Sequence, residues 1–513
     1  MTASCELPNG WTMVPLGKLG DWGGGGTPSK SKPAFWTDGT VPWVSPKDMK
    51  FDVIENSQDL ITQNAVENSS AKLYPTGTVL LVTRSAILLH SLPVAKTVKE
   101  VTVNQDLKAL IPADCMNVDY IVAALRASAS RILNECRKAG TTVCSIDFSK
   151  LKAYEIPVAP LNEQRRIVAK IEELTARSRN AKQALDAIPP LLERFRQSVL
   201  AAAFRGDLTK QWRQQNPNTE PASELLKRIR QERRHRWEQD YLQTQKAKGT
   251  PPKNDKWKAE YTEWQPQGNR SSVAAQGIRE VRKEHFPETW EVCFLGEVAE
   301  LQPGYAFKSK WYRSEGLRLL RGTNIIPGGT RWEETVCIEP ERESEFVDYQ
   351  LNPEDIVIAM DRPLISSGLK VAQLEEADLP ALLLQRVGRF HRSRYLKPAF
   401  VFWYLNSVRF MNHIGVQATG TQLPHISKSD IETAPIPLPP LDEQKAIVDC
   451  LEQVFSSHRA IEQACTGMRD RIARLNQSIL AKAFRGELVP QDPNDEPAAA
   501  LLERIRSDSK TRK

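Results

Sequence analysis

The 513-residue chain contains no run of about 18 uninterrupted apolar residues, so no membrane-spanning helix is expected. Its first residues, MTASCELPNGWTMVPLG, lack the basic-then-apolar layout of a secretory leader. Together these absences point to a cytoplasmic protein. The eight cysteines (5, 115, 136, 144, 293, 337, 450 and 465) form no CxxC pair, and the seven histidines form no HxxxH. Reduced thiols and no metal site are therefore expected. A GxxxxGK[ST] phosphate loop is missing, which argues against ATP hydrolysis. Missing too is the acidic-or-Asn, Pro-Pro, aromatic tetrapeptide of amino-methyltransferases, and nothing looks like an activated Ser or Cys nucleophile. Glu443-Gln444-Lys445 superficially offers the E-x-K end of a metal-dependent nuclease site. A second copy reads Glu163-Gln164-Arg165, and both fall in the first turn of a predicted helix. The chain reads as non-catalytic.

What the chain does contain is itself, twice. QSVLAAAFRGDL at Gln197 returns as QSILAKAFRGEL at Gln477, 280 positions on. PLNEQRRIVAKIEEL at Pro160 returns at Pro440 as PLDEQKAIVDCLEQV, and GTTVCSIDFSKLKAYEIPV at Gly140 lies over GTQLPHISKSDIETAPIPL at Gly420. PNGWTMVPLG matches PETWEVCFLG, LYPTGTVLLVTR ending at Arg84 resembles LNPEDIVIAMDR ending at Arg362, and NPNTEPASELLKRIR at Asn216 matches DPNDEPAAALLERIR at Asp492. A period of half the chain marks a duplication and not a solenoid. The length also exceeds what one core supports. The formal charge of +7 is compatible with a polyanionic partner without requiring one.

Each half opens with a Trp-, Gly- and Pro-rich region of short strand-like runs, such as TVLLVTR and DIVIAM, and closes with a helical segment. YIVAALRASASRILNECRKA (Tyr120 to Ala139) and AFVFWYLNSVRFMNHI (Ala399 to Ile414) each read as one helix. GDWGGGGTPSKSK near Gly20 reads as a loop with a special backbone path. The closing helices carry a 3-4 apolar spacing. Ile167, Ile171, Leu174, Leu185, Ile188, Leu192 and Phe195 line one seam; Ile447, Leu451, Val454, Ile461, Met468, Ile472, Leu475 and Ile479 line the other. Such a narrow seam predicts that the two helices pair as a coiled coil. Pro189 and Pro190 predict a kink or restart of the first helix near Ile188. Between the halves, SELLKRIRQERRHRWEQDYLQ reads as a solvated helix and GTPPKNDKWKAEYTEWQPQGNRSSVAAQG as an extended linker.

These duplicated helix starts and ends, with the G-T-x-x-x-x-I segment before them, strongly resemble the specificity subunit of Type I restriction-modification enzymes. The resemblance covers nearly the whole chain. It implies an α+β architecture with an internal pseudo-twofold repeat, in which two mixed α/β target-recognition globules are separated by a long antiparallel two-helix coiled coil. The expected division is 1–158 (first globule), 159–206 (spacer helix), 207–285 (basic linker), 286–438 (second globule), 439–487 (spacer helix) and 488–513 (C-terminal helix and tail). Each globule would read one half of an asymmetric, split site in double-stranded DNA. Two methylation subunits, which bind S-adenosylmethionine, would dock on the helices, and two restriction subunits could join. S-adenosylmethionine, ATP and Mg²⁺ would belong to those partners, with no cofactor or metal in this chain. Base edges and phosphates favour Arg, Lys, Asn, Gln and hydroxyl side chains. Candidate contacts are Lys30, Lys32, Lys47, Arg84, Thr141, Thr142 and Lys150 in the first globule. In the second they are Lys308, Lys310, Arg321, Asn324, Arg362, Gln422, His425 and Lys428. Arg84 and Arg362 lead, because both end equivalent strands. Two alternatives stay open: a self-sufficient DNA methyltransferase or nuclease, and a protein-only coiled-coil adaptor.

Overall fold

The computed structural model describes residues 7–138, 143–252, 254–266, 271–415 and 425–511. It divides into two compact units, Met1–Ala187 with Ala464–Lys513, and Ile188–Gln463. Neither unit is one continuous stretch of a single repeat. No helix among the described residues is long and apolar enough to cross a membrane.

The first unit is built on a five-stranded sheet ordered Gly20–Gly24, Leu107–Pro112, Val79–Val82, Val94–Thr97 and Val53–Ile54. The run Val79-Leu80-Leu81-Val82 is fully buried, as a central strand covered on both faces should be. A four-stranded sheet (Asp59–Ile61, Val41–Val44, Val101–Val103, Leu73–Tyr74) lies beside it. The glycine run is partly strand, and its special path is a close approach. A Cβ on Gly25 would sit 1.9 Å from the Val103 carbonyl, and one on Gly23 would sit 2.1 Å from the Tyr74 hydroxyl. That hydroxyl donates to the Gly24 carbonyl (2.7 Å).

The second unit carries a four-stranded sheet (Leu301–Pro303, Val387–Phe390, Ile356–Ala359, Val371–Gln373) and a three-stranded one (Cys337–Ile338, Leu317–Leu320, Ala381–Leu383). Each unit also has a two-stranded antiparallel ribbon that leads into a long helix. Thr12–Pro15 pairs with Glu155–Val158, and Glu291–Phe294 pairs with Pro435–Leu438. The helix expected over Tyr120 to Ala139 is two, Val118–Ala127 and Ala129–Glu135; its counterpart is Pro398–Leu405 and Val408–Gly415. Polar side chains cause the second break. Asn406 Nδ2 donates to the Phe402 carbonyl, and Ser407 Oγ donates to Tyr404 O and accepts from Phe410 N. One helix is thereby capped and the next begun.

The two long helices, Leu161–Ala203 and Leu441–Ala483, are each 43 residues. Within each unit they run antiparallel. In the first unit, Ile167 near the start of one helix packs with Ala483 at the end of the other, and Arg469 reaches Leu185 and Asp186. In the second, His458 Nε2 lies 3.2 Å from the Leu192 carbonyl, and Leu200 shares a core with Ile447. The seam is only partly as expected. Ile167, Ile447, Leu451 and Ile479 are buried, and Ile171, Leu174, Leu185, Ile188, Leu192, Val454 and Ile472 are half-buried. Phe195, Ile461, Met468 and Leu475 are exposed. The buried positions Ser178 and Val199 on one helix, and Leu451, His458, Cys465 and Ile479 on the other, stand multiples of seven residues apart. One row of the seam is thus covered while the row carrying Phe195, Ile461, Met468 and Leu475 turns to solvent.

The expected restart at Ile188 does not occur, since Pro189 and Pro190 lie inside a single helix. Proline has no N–H, so Pro189 leaves the Leu185 carbonyl without its usual partner. Arg469 replaces it, donating from one guanidinium nitrogen to Leu185 O (3.2 Å) and from Nε to Asp186 Oδ1 (3.1 Å). Arg469→Ala should cost the first unit about 1–2 kcal/mol. In a Pro189→Ala background, where the backbone donor returns, the cost should shrink by at least half. A double-mutant cycle on thermal unfolding checks this, and equal costs in both backgrounds would refute the rescue.

The segment expected to be a solvated helix is helical, but one face of it is buried. Ala222–Ala247 is a helix whose Ala222, Leu225, Leu226 and Ile229 enter the core of the second unit. Its cations are engaged there. Arg230 pairs with Glu297 (2.8 Å), Arg236 with Glu300 (3.4 Å), and Arg233 donates to the Gly296 carbonyl (2.6 Å). The expected extended linker is not extended to its end, since from Ser271 on it forms the helix Ser271–Arg282. Equivalent contacts join the chain's end to the first unit, where Ala498 N donates to Gly10 O (2.8 Å), as Ala222 N does to Thr289 O (2.8 Å).

Candidate functional site

In the first unit the strand Val79–Val82 runs out at Thr83 and Arg84, whose amides both donate to the Asp106 carbonyl. The segment before Asp147 then lies alongside. Ile146 N donates to Thr83 O, Ser85 N donates to Cys144 O, and Arg84 and Ser145 form an antiparallel bridge. Asp147 caps the short helix Phe148–Ala153, accepting from Ser149 N and Lys150 N. The Lys150 amide hydrogen bond, ahead of the other causes, holds the Asp147 carboxyl below its ordinary range. Arg84 and Lys150 are both exposed and neither forms an ion pair among the described residues.

The second unit repeats this arrangement. Past the strand Ile356–Ala359, Ile426 N donates to Met360 O, and Asp361 bridges His425. Ser427 caps the helix Lys428–Glu432. Arg362 has φ +44°, a left-handed backbone that a non-glycine residue adopts only when its surroundings impose it. Asp361 is taken by Arg386 (3.2 Å), whereas the exposed Arg362 makes no ion pair among the described residues. The fold thus gathers Arg84 with Lys150, and Arg362 with His425 and Lys428, from segments some sixty residues apart in sequence.

Other candidates have internal work. Lys47 pairs with Asp59 at 2.7 Å, and that hydrogen bond raises its pKa. Asn324 is 1% exposed. Its Oδ1 accepts from Arg321 N, and its Nδ2 donates to Arg331 O and Glu334 O. It shapes a turn and cannot reach a ligand, which corrects its candidacy. Lys428 lies 3.5 Å from Glu432, a surface pair of small worth. Lys32 sits over the Phe35 ring and Lys308 over Trp311. Lys30 and Lys310 are exposed and Arg321 is half-buried. Thr141, Thr142 and Gln422 lie outside the described residues.

Sequence reasoning missed the joint between globule and helix. Trp11 Nε1 donates to Glu163 Oε2 (3.0 Å), and Trp290 Nε1 donates to Glu443 Oε2 (2.9 Å). Gln164 Oε1 accepts from Asn117 N while its Nε2 donates to Ala159 O. Gln444 does the same with Lys397 N and Pro439 O. All four carboxylate and amide side chains are buried. The Glu-Gln dipeptide is therefore a clamp, with Glu tying the first strand and Gln tying the ribbon's end to a helix start. The repeated Trp, 279 positions apart, was the available signal. Glu443-Gln444-Lys445 is thus not a metal site.

These duplicated elements can be placed among known proteins. The sequence profile of the Type I restriction modification DNA specificity domain matches residues 8–189 and 287–465. The specificity subunit of the Type I restriction enzyme EcoAI from Escherichia coli is 36% identical over 267 residues, 52% of this chain and 40% of that protein. That alignment spans well under half the relative's length. The EcoKI specificity subunit of E. coli K12 is 24% identical over 98% of this chain and 96% of its own. A chain from a structure of a type I R-M system, solved for its complex assembly and conformational transition, superposes with a TM-score of 0.64 at 19% identity. The superposition covers 94% of this chain and 99% of that one, which shows a shared fold. With a profile match in each repeat covering more than half its length, the chain belongs to the Type I restriction modification DNA specificity family.

Proposed function

We propose that this chain is the non-catalytic DNA-recognition subunit of a Type I restriction-modification complex, each globule reading one half of an asymmetric, two-part duplex site. The observation that carries the reading is the duplicated constellation of an exposed arginine at a strand end beside a cation-bearing helix start. It sits in globules whose surrounding loops differ. Duplicated framework with divergent surroundings suits two readers of one ligand type and two different sequences. Arg84 and Arg362, with Lys150 and Lys428, supply phosphate contacts that fix register. Such contacts make affinity fall steeply with salt.

A 43-residue helix is about 65 Å long at ~1.5 Å per residue. DNA repeats every ~34 Å, so an antiparallel pair of such helices is long enough to set readers a turn or more apart. Two methylation subunits would dock on the repeated helix ends, bringing S-adenosylmethionine. Two restriction subunits would bring ATP- and Mg²⁺-dependent chemistry. The work of this chain is to bind, space and orient, in the cytoplasm. Exchanging residues 1–158 for those of another family member, in the complex with methylation subunits, should change one half of the methylated motif mapped genome-wide. Alteration of both halves refutes the modular reading. Methylation by the purified chain with S-adenosylmethionine alone would favour a self-sufficient enzyme, and salt-insensitive behaviour towards duplex DNA would favour a protein-only adaptor.

A further inference from the structure

Each strand-end arginine is followed by a small projecting element with a buried leucine at its base and aliphatic side chains outside. In the first unit the element is the turn Ala86–Leu89, capped by Ser85. Leu88 is 2% exposed and anchors it, while Ile87 and Leu89 are 38% and 56% exposed. In the second it is the hairpin formed by Leu364–Ile365 and Gly368–Leu369. Leu369 is buried, Lys370 N donates to Pro363 O (2.7 Å) at its base, and Leu364 and Ile365 are 43% and 40% exposed. The local structures differ, a 3₁₀ turn against a β-ribbon, yet the chemistry recurs at equivalent places in both repeats. Scattered exposed aliphatics need no explanation. A duplicated pair beside each unpaired arginine does.

A duplex offers an aliphatic side chain one apolar partner on its base-pair edges, the C5 methyl group of thymine, and offers it in the major groove alone. That groove admits a two-stranded ribbon. An arginine at the base of the projection is positioned for the phosphates that border it. We infer that Ile87 and Leu89 in the first globule, and Leu364 and Ile365 in the second, read thymine by packing on its methyl group. The inference rests on the half-site reading above and specifies which side chains do part of that reading.

The test uses the chain in complex with its methylation subunits and a duplex carrying the motif found by mapping. Each thymine in turn is replaced by deoxyuridine, which lacks only the methyl. Affinity should fall about fourfold for each contacted methyl, at one or two positions per half. The variant Leu364→Ser/Ile365→Ser should lose that discrimination in the second half and keep it in the first, and Ile87→Ser/Leu89→Ser should do the reverse. Thermal midpoints should not move, because these side chains are exposed, and the deoxyuridine series on the unaltered chain needs no variant at all. Silence of every deoxyuridine substitution, equal losses in the variants, or a half-site with no A·T pair overturns the inference. If the tips instead wedge between base steps, the variants lose affinity while deoxyuridine stays silent, which also overturns it. Failure of the half-site reading looks different: exchange of residues 1–158 would then alter both halves or neither.

Discussion

Glu443→Ala should destabilise the second unit by about 3–5 kcal/mol, the cost of stripping a buried charge of its counterpart. Glu443 is fully buried. Its Oε2 accepts from the Trp290 indole, and its Oε1 accepts from Thr209 Oγ1 (2.6 Å) and Arg213 (2.5 Å). The alanine variant leaves three donors facing a cavity, with the Arg213 guanidinium held in place by the Gly206 carbonyl (2.7 Å) and unable to swing to water freely. Glu443→Gln keeps an acceptor for one or two donors but turns an NH₂ towards a cation, so about half the loss is expected. Urea unfolding followed by tryptophan fluorescence reads both. An unchanged midpoint for the alanine variant would mean the carboxylate is not the clamp described.

The other copy should behave differently. Glu163 has the Trp11 indole, but its Oε1 is buried without a hydrogen-bond partner. Val489 stands where Thr209 does. The offset shortens from 280 at Leu208/Leu488 to 276 at Asn216/Asp492, so the short helix that delivers Arg213 has no counterpart. Burial, outweighing the Trp11 hydrogen bond and the nearby Arg166, pushes the Glu163 carboxyl above its ordinary range. The folded state then holds this proton more tightly than the unfolded state. Its contribution to stability is greatest below the unfolded pKa and declines as pH rises through the folded one. Glu163→Gln removes that decline. It should be nearly neutral at pH 7, where Glu443→Gln is costly, and slightly destabilising in mild acid.

Duplication made much of this protein legible. The boundaries of the long helices, the two globules and the equivalence of Arg84 with Arg362 all follow from matching segments set 278 to 280 residues apart. What escaped was interaction at long range. Glu163 and Gln164 read only as residues of a helix's first turn, because their partners lie 152 and 47 residues away. Asn324 read as a base reader because its type suits the task, and only its three internal hydrogen bonds remove it. The heptad spacing marks two rows on each helix, and which row turns to solvent, exposing Phe195, Ile461, Met468 and Leu475, depends on what packs against each helix and not on the spacing. The basic segment after Asp207 read as solvated because charge counts carry no partners, whereas Glu297, Glu300 and the Gly296 carbonyl were waiting in the next repeat.

Deleting residues 488–513 should unfold the first globule, whose strands lie hundreds of residues earlier, and leave the second intact. Ala498 and Leu501 are fully buried, and Leu502 and Ile505 pack on the same core as Val79–Val82. Asp495, 5% exposed at its side chain, pairs with Arg166 at 2.7 Å. Asn162 Nδ2 also donates to it, and Arg166 holds its carboxyl below the usual range. Burying a leucine-sized side chain is worth about 1.5–3 kcal/mol, so the segment contributes roughly 4–6 kcal/mol. That is a large share of a typical domain's 5–15 kcal/mol. Calorimetry of the shortened chain should show the second unit's transition in place and the first unit's lowered by tens of degrees or absent. A peptide of residues 488–513 added in trans should restore it in proportion to its concentration. Two undisturbed transitions would mean the tail merely rests on the surface. The same deletion cannot be made in the other repeat, because there the equivalent residues, Ala222, Leu225 and Leu226, lie mid-chain. Each globule is therefore completed by the segment that follows the opposite long helix. That arrangement ties the folding of each globule to the antiparallel packing of the long helices within its unit.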